Sequence, residues 1–330
     1  MSVKKVSWSN CEELWRQIET SNKCVPVYMY RDFMENYKSV YKVGAQRWNK
    51  SISIFEFTGT SGNRGLLPLL EDHSNIYICG DLCATGYLDF LYPENVTESD
   101  FNEMLSDLKI IAKGRTIRIN KINEKSLLFP YLSEHYPVKD EMICVNIALP
   151  ETIEDYYGSL SKSCKQNYRT AKNRMAREEK PWTVEVYMNR VVPKNEIKDM
   201  MSVYIRREEE RQGKSINPIV RLVQGSINPI TKTCFSLPNA FVSCLRICGN
   251  VAGFLAGYVS NDKSTIVVPR LAIDSEYGVY CPGTLLIYET IDWLIKNTPI
   301  RNLDLSRGEE KYKYVMGGTQ HINRDFEIIS

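Results

Sequence analysis

A chain of 330 residues exceeds the usual size of one hydrophobic core, so two domains of roughly 150 residues each are expected. Hydrophobic residues at 43% and charged residues at 25% give a globular balance, which excludes a disordered chain. The 42 Lys and Arg against 40 Asp and Glu leave a formal charge of +2, too small for bulk attraction to DNA, so any anion site must be local.

The stretch from Met1 to Trp8 lacks the apolar core of a signal peptide, and no apolar run approaches the ~18 residues of a membrane span. A cytoplasmic protein with no membrane span is expected, with peripheral membrane contact left open. The ten cysteines contain no Cys-x-x-Cys, and His73, His135 and His321 lie far apart. Zinc-ligand spacing is absent, so no metal and structural thiols are expected.

In the first half, Leu14, Trp15 and Ile18 recur at helical spacing within Cys11 to Thr20, and a second helical pattern runs from Phe33 to Tyr41. Alternating Ile52, Ile54, Phe55 and Phe57, a turn through Gly59 and Gly62, and the return Leu66 to Leu70 predict a hairpin, followed by a strand over Ile76 to Cys79. Thr97 reads as the N-cap of a helix with Glu98 and Asp100 in its first turn, ending at Gly114; Arg115 to Ile119 then reads as a strand. No glycine-rich loop opens a helix here. This half reads as structural, or as lending substrate contacts through the loop Gly86-Tyr87-Leu88-Asp89.

Leu149-Pro150 closes the first half, and Thr152 with Glu154 and Asp155 starts a helix-rich segment, which divides the chain into 1–150 and 151–330. From Ser159 to Arg177 apolar Leu160, Cys164, Tyr168, Ala171 and Met175 share one face, while Lys162, Lys165, Arg169 and Lys172 form a cationic stripe on another. Such a stripe is a solvated face or a site for a phosphate-bearing ligand, tRNA or anionic headgroups. A strand over Trp182 to Val186 and a helix through Ile197, Met200, Met201 and Tyr204 follow. The charges in Arg206 to Arg211 pair at i and i+3 or i+4, which predicts plain solvent exposure.

Ala240 to Cys248 and Val251 to Val259 flank Gly249-Asn250, a dipeptide suited to a two-residue hairpin turn. A third strand, Ser264 to Ile273, carries Pro269, which predicts a bulge or a splayed end. Tyr280-Cys281-Pro282-Gly283-Thr284 then opens an apolar helix from Leu285 to Ile295, and a parallel strand runs from Ile300 to Leu305. Free N–H groups at the start of that helix favour an anion, and Gly283 permits close backbone approach. From Leu303 to Gly318 the chain concentrates charge and aromatic hydroxyls: Asp304 ends the strand, Gly308 turns the path, and Lys311, Tyr312 and Lys313 follow. This stretch is either an active-site rim or a polar loop capping a sheet.

Taken together, these motifs resemble the GNAT superfamily of acyl-CoA-dependent N-acyltransferases, in its tandem-domain branch of CelD-like and FemABX-like proteins. Four pieces carry the resemblance: Ser159 to Lys162 running into Asn167-Tyr168-Arg169 with Lys172, the strand Gly253 to Tyr258, the turn Tyr280 to Leu286, and Leu303-Asp304-Leu305 with Arg307-Gly308-Glu309 and Tyr312-Lys313. Leu67-Pro68-Leu69 and Tyr87-Leu88-Asp89 fit the branch's degenerate N-terminal domain. The fold implied is α+β (α/β): two tandem GNAT-like domains, each a mixed, mainly antiparallel sheet flanked by helices, with 1–150 degenerate and 151–330 the acyltransferase domain.

The resemblance implies an N-acyltransferase that moves an acyl group from acyl-CoA, as co-substrate, to a small-molecule amine acceptor such as an amino sugar or another cell-envelope precursor. The alternatives are an aminoacyl-tRNA-dependent Fem-like transferase and an inactive GNAT-like binding module. The pyrophosphate turn keeps a single glycine, Gly283, and the helical-hairpin arm of some Fem proteins has no counterpart insert. For direct attack, Asp304 or Glu309 would accept the amine proton, Lys313 would stabilise the oxyanion and Tyr312 would act as acid. Tyr280, Pro282, Gly283, Thr284 and Arg307 would bind the cofactor, and Lys162, Lys165 and Arg169 would hold phosphates of donor or acceptor.

Overall fold

The computed structural model describes residues 3–41, 50–217 and 228–329. The chain runs β1 (Val3–Val6), α1 (Glu12–Ser21), α2 (Arg31–Tyr41), β2 (Ser51–Thr58), β3 (Arg64–Glu71), β4 (Asn75–Ile78), α3 (Glu98–Ala112), β5 (Thr116–Asn123) and α4 (Leu128–His135). Next come β6 (Val138–Ala148), α5 (Ile153–Ser159), α6 (Lys162–Arg177), β7 (Trp182–Met188), α7 (Lys194–Gln212), α8 (Pro229–Thr233), β8 (Ala240–Ile247), β9 (Asn250–Val259) and β10 (Thr265–Ile273). The last elements are α9 (Pro282–Asn297), β11 (Asn302–Arg307), α10 (Lys311–Val315) and β12 (Thr319–Ile329). They form two compact units, residues 1–143 with 227–230 and 321–330, and residues 144–226 with 231–320.

In the first unit the strand order is β1-β2-β3-β4-β5-β12, with β4 and β5 parallel and the other pairs antiparallel. Thr97 caps α3 as its sequence implied. Its hydroxyl accepts the Asp100 N–H at 3.3 Å while Asp100 Oδ2 accepts the Thr97 N–H at 3.0 Å, so two helix-start donors are satisfied reciprocally. The expected strand after Gly114 runs further, to Asn123, and α4 and β6 have no counterpart in the sequence reading.

The loop at Tyr87, Leu88 and Asp89 differs from a substrate-contacting one, because all three side chains are buried. Asp89 accepts the Phe90 N–H at 2.8 Å and the Tyr92 hydroxyl at 2.7 Å, so it organises the core locally. Burial pushes its carboxyl up to about 7 against those hydrogen bonds. The folded state therefore binds a proton that the unfolded chain, near its ordinary value, has released. The stability from this group is full below the unfolded value and is lost as pH rises through about 7. Melting curves between pH 5 and 8 should show that loss, and Asp89→Asn should flatten it; an unchanged slope would assign the pH dependence elsewhere.

The second unit has the order β6-β11-β10-β9-β8-β7, with β10 and β11 parallel. The helical run that the sequence suggested from Ser159 is broken. Leu160 is extended and the Ser161 hydroxyl accepts the Cys164 N–H at 3.2 Å, which starts α6 afresh. The β8–β9 turn sits one residue earlier than expected. Cys248 and Gly249 take the positive φ values, 50° and 80°, and Asn250 already pairs with Ile247. A bulge between Leu245 and Arg246 sets that register, so Asn250 opens the strand.

One face of this sheet is closed by α5, α6 and α9 through Leu160, Met175, Leu286 and Ile291, which join Leu303 of β11 in one core. The other is covered by α7, which packs on β9 and β10. Pro269 marks a real irregularity: the β10–β9 register shifts between Val267 and Arg270. The parallel pairing of β10 with β11 consists of Thr265, Ile266 and Val267 against Asn302, Leu303 and Asp304, and goes no further. The site lies where these two strands part company.

Candidate active site

Beyond Val267, β10 keeps its partner β9 on one side and has lost β11 on the other. The Asp274 N–H donates to Ala252 O at 3.0 Å, so by strand alternation the backbone groups of Leu271 and Ile273 point away from β9, towards the open edge. Leu271 and Ile273 line a cavity of about 260 Å³. The start of α9 closes one side of it with Cys281, Pro282, Gly283 and Thr284, and Tyr312, Val315 and Met316 close another.

The start of α9 is built to leave donors free. Cys281 precedes it in the left-handed region at φ 47° and makes no side-chain cap. Pro282 has no N–H, and Leu285 N–H is taken by Cys281 O at 3.2 Å. The N–H groups of Gly283 and Thr284 remain as the helix-start donors, at the positive end of a sixteen-residue helix. A Cβ at Gly283 would fall 2.5 Å from Ile273 Cδ1, so only glycine leaves the backbone and the cavity wall in contact without pushing Ile273 inward.

The stretch from Asp304 to Met316 forms the opposite wall. Ser306 adopts φ 59° and Gly308 φ 102°, so the chain leaves β11 through two left-handed residues. Asp304 is buried, and its Oδ1 accepts the Ser306 N–H at 2.7 Å. Lys313 reaches back into the same turn. Its ammonium, on a side chain 2% exposed, donates to Ser306 O at 3.2 Å, Arg307 O at 2.7 Å and Gly308 O at 3.0 Å, and lies 3.0 Å from Glu310 Oε2. Its hydrogen-bonding capacity is spent, so Lys313 holds the turn and is not the oxyanion donor that its sequence context suggested. Burial pushes the Glu310 carboxyl up, but the hydrogen bond from Lys313, a backbone hydrogen bond and the charges of Lys313 and Arg207 together hold it below its ordinary value.

Tyr312, between those residues, does face the cavity. Burial, and then the nearby Glu310 carboxylate, push its phenol well up, so it stays protonated at neutral pH. Of the predicted residues, the cavity therefore gathers Pro282, Gly283, Thr284 and Tyr312. Tyr280 instead donates its hydroxyl to Glu178 at 2.6 Å, and Arg307 is exposed. Glu309 is exposed and accepts from Gln320 at 3.4 Å. Lys162 and Lys165 line none of it, and Arg169 lines a different cavity.

Two residues that the sequence reading passed over complete the site. Arg207 of α7 is the arginine lining the cavity, and Asp274 is its carboxylate, held by Arg206 and by the Glu276 N–H at 3.1 Å. The run Arg206 to Arg211 had looked self-paired along its helix. Only Arg211 keeps to that pattern, bonding Glu208 at 2.7 Å, whereas Arg206 leaves the helix for Asp274. Among the described residues no group of His, Cys, Asp and Glu could hold a metal ion, and no helix is long and apolar enough to cross a membrane.

A model of the GNAT acetyltransferase domain matches residues 162–314, which run from α6 into α10 and include every residue lining the cavity except Val315 and Met316. No curated protein matches the sequence. Among solved structures, FemX is similar at a TM-score of 0.63 and 10% identity, over 100% of this chain and 98% of that one. A conserved protein of unknown function from Bacteroides thetaiotaomicron gives 0.55 and 11%, over 99% of both chains. The C-terminal domain of a putative lysylphosphatidylglycerol synthetase from Agrobacterium fabrum gives 0.51 and 11%, over 89% and 90%. At these identities the likeness is one of fold. Residues 162–314 match the GNAT acetyltransferase domain, and the chain as a whole shares its fold with FemX.

Proposed function

We propose that the protein is an N-acyltransferase that takes an acyl group from acyl-CoA and transfers it directly to a small-molecule amine. The observation that carries this reading is the parting of β10 from β11 after Val267 and Asp304, beside the N–H groups of Gly283 and Thr284, which have no partner among the described residues. An extended amide-bearing donor arm would add along the open edge of β10 as a strand does, with its phosphates at the start of α9. Arg207 adds a positive charge on the α7 side of the same cavity.

In the transfer, the amine nitrogen attacks the thioester carbonyl carbon; the C–N bond forms and the C–S bond breaks. Tyr312, kept protonated by its burial, donates the proton that the departing thiolate needs and is reprotonated from solvent. The amine proton passes to Asp274, the carboxylate lining the cavity, directly or through water. Asp304, Lys313 and Glu310 act at one remove, by fixing the turn from which Tyr312 projects. Tyr312→Phe should lower kcat by about 10²-fold or more while moving KM little; a variant with unchanged kcat would remove the phenol from the proton path.

The test of the reading as a whole is a thiol-release assay over a panel of acyl-CoA donors, with amino sugars and nucleotide-linked amino sugars among the acceptors. Amine-dependent release from at least one donor is the expected result. No release from any of them, together with no thermal shift on adding CoA or acyl-CoA, would overturn the donor assignment.

A further inference from the structure

A second cavity, of about 440 Å³, opens on the face of the second unit formed by α5, α6 and α9. Its walls are aromatic. Tyr168 and Tyr288 pack with ring centroids 4.1 Å apart, and Tyr157 stands edge-on to Tyr288 at 6.0 Å and 89°. Its rim is cationic. The Arg169 guanidinium lies 5.6 Å from the Tyr157 ring and the Lys165 ammonium 5.4 Å, while Lys172 sits 5.1 Å from Tyr168.

The partners of these charges separate this cavity from an ordinary solvated helix face. Tyr168 donates its hydroxyl to Glu289 at 2.7 Å and accepts from Lys172 at 3.1 Å, so that wall is pinned in place. Arg169 contrasts with its neighbours. Among the described residues its side chain makes no hydrogen bond or ion pair, although Glu154 lines the same cavity. A guanidinium placed over a tyrosine ring, with its donors unspent, is prepared for an anion that arrives from outside.

We propose that this cavity binds a nucleotide, a phosphorylated ligand with a flat base. The tyrosine rings would take the base by stacking, which tolerates any base because each presents a π face. Glu154 and Asn173 supply acceptors and donors suited to ribose hydroxyls, and Arg169 and Lys172 supply phosphate contacts. The volume falls in the ordinary range of small-molecule sites, roughly 300 to 1,000 Å³. Neither the cavity nor its ligand depends on the transfer reaction, since none of these residues lines the cavity beside β10.

Calorimetric titration of the full chain with ADP, UDP and inorganic pyrophosphate tests the proposal. ADP and UDP should both bind, with pyrophosphate weaker by about tenfold or more for want of a base to stack. Arg169→Ala, at an exposed position where folding is unaffected, should weaken both nucleotides by about tenfold or more, the effect of losing a charged hydrogen bond. Nucleotide binding should persist in the presence of saturating CoA. Three results would overturn it: no nucleotide binding, pyrophosphate binding as tightly as ADP, or ADP binding lost to CoA but indifferent to Arg169→Ala.

Discussion

Lys313→Ala is expected to destabilise the second unit by about 3 kcal/mol and to abolish transfer through the same event. The substitution strips the carbonyls of Ser306, Arg307 and Gly308 of their shared donor in a place from which water is largely excluded. Each buried acceptor left unsatisfied costs roughly 1–3 kcal/mol. The ion pair itself adds little, because Glu310 is 55% exposed. With the cage gone, the two left-handed residues lose what holds them, and Tyr312 is no longer presented to the cavity. Thermal melting should show a fall of about 10 °C, at roughly 2–4 °C per kcal/mol for a unit of this size. A variant as stable as the parent but inactive would contradict this account and return Lys313 to the chemistry. Lys313→Arg is not expected to rescue, since a planar fork cannot converge on three carbonyls as an ammonium does.

Gly257→Ala should be comparably severe for a steric reason. A Cβ at Gly257 would lie 2.0 Å from the backbone oxygen of Val267 and 3.0 Å from Val268 Cα. Those atoms belong to the bulged part of β10, which presses down on β9 at a residue without a side chain. Backbone cannot rotate aside as a flexible side chain can, so either β9 and β10 separate or the bulge flattens. Overpacking of this kind costs about 3 kcal/mol or more. Flattening would also extend the β10–β11 pairing and close the open edge. The variant should therefore lose any thermal shift with acyl-CoA, even at temperatures where it remains folded. Retention of a full ligand shift would show that the bulge is dispensable for donor binding.

Much of this architecture could be read from local chemistry. Thr97 with Asp100 three residues on announced α3, and Pro269 the bulge, because each acts on atoms within a turn of itself. β6 escaped notice because its first half, Val138 to Glu141, is exposed and charged and lacks the apolar alternation that marks a strand. α4 was hidden by Pro130, which sits in its first turn, where proline is tolerated.

The site was less legible than the fold. Pro282, Gly283 and Thr284 were recognisable because a helix start exposes donors whatever surrounds it. The role of Lys313 was not, because its partners are backbone carbonyls, which leave no trace in the side-chain sequence. Arg207 and Asp274 were missed for a related reason. The charges around Arg207 satisfied a helix-pairing rule on paper, and only the packing of α7 on β10 shows that Arg206 bonds Asp274 across the elements.

The first unit's sheet ends on β12, whose residues pair with β5 across Thr116 to Asn123 although 200 to 213 positions separate the partners. During synthesis that partner strand is made after the whole second unit. A nascent chain that already carries β1 to β5 must wait through the whole second unit with the rim of β5 bare, an invitation to pair with a neighbouring ribosome's product. Completion of the first unit is thus tied to residues translated after the second, and termination within β12 should harm the unit made earlier.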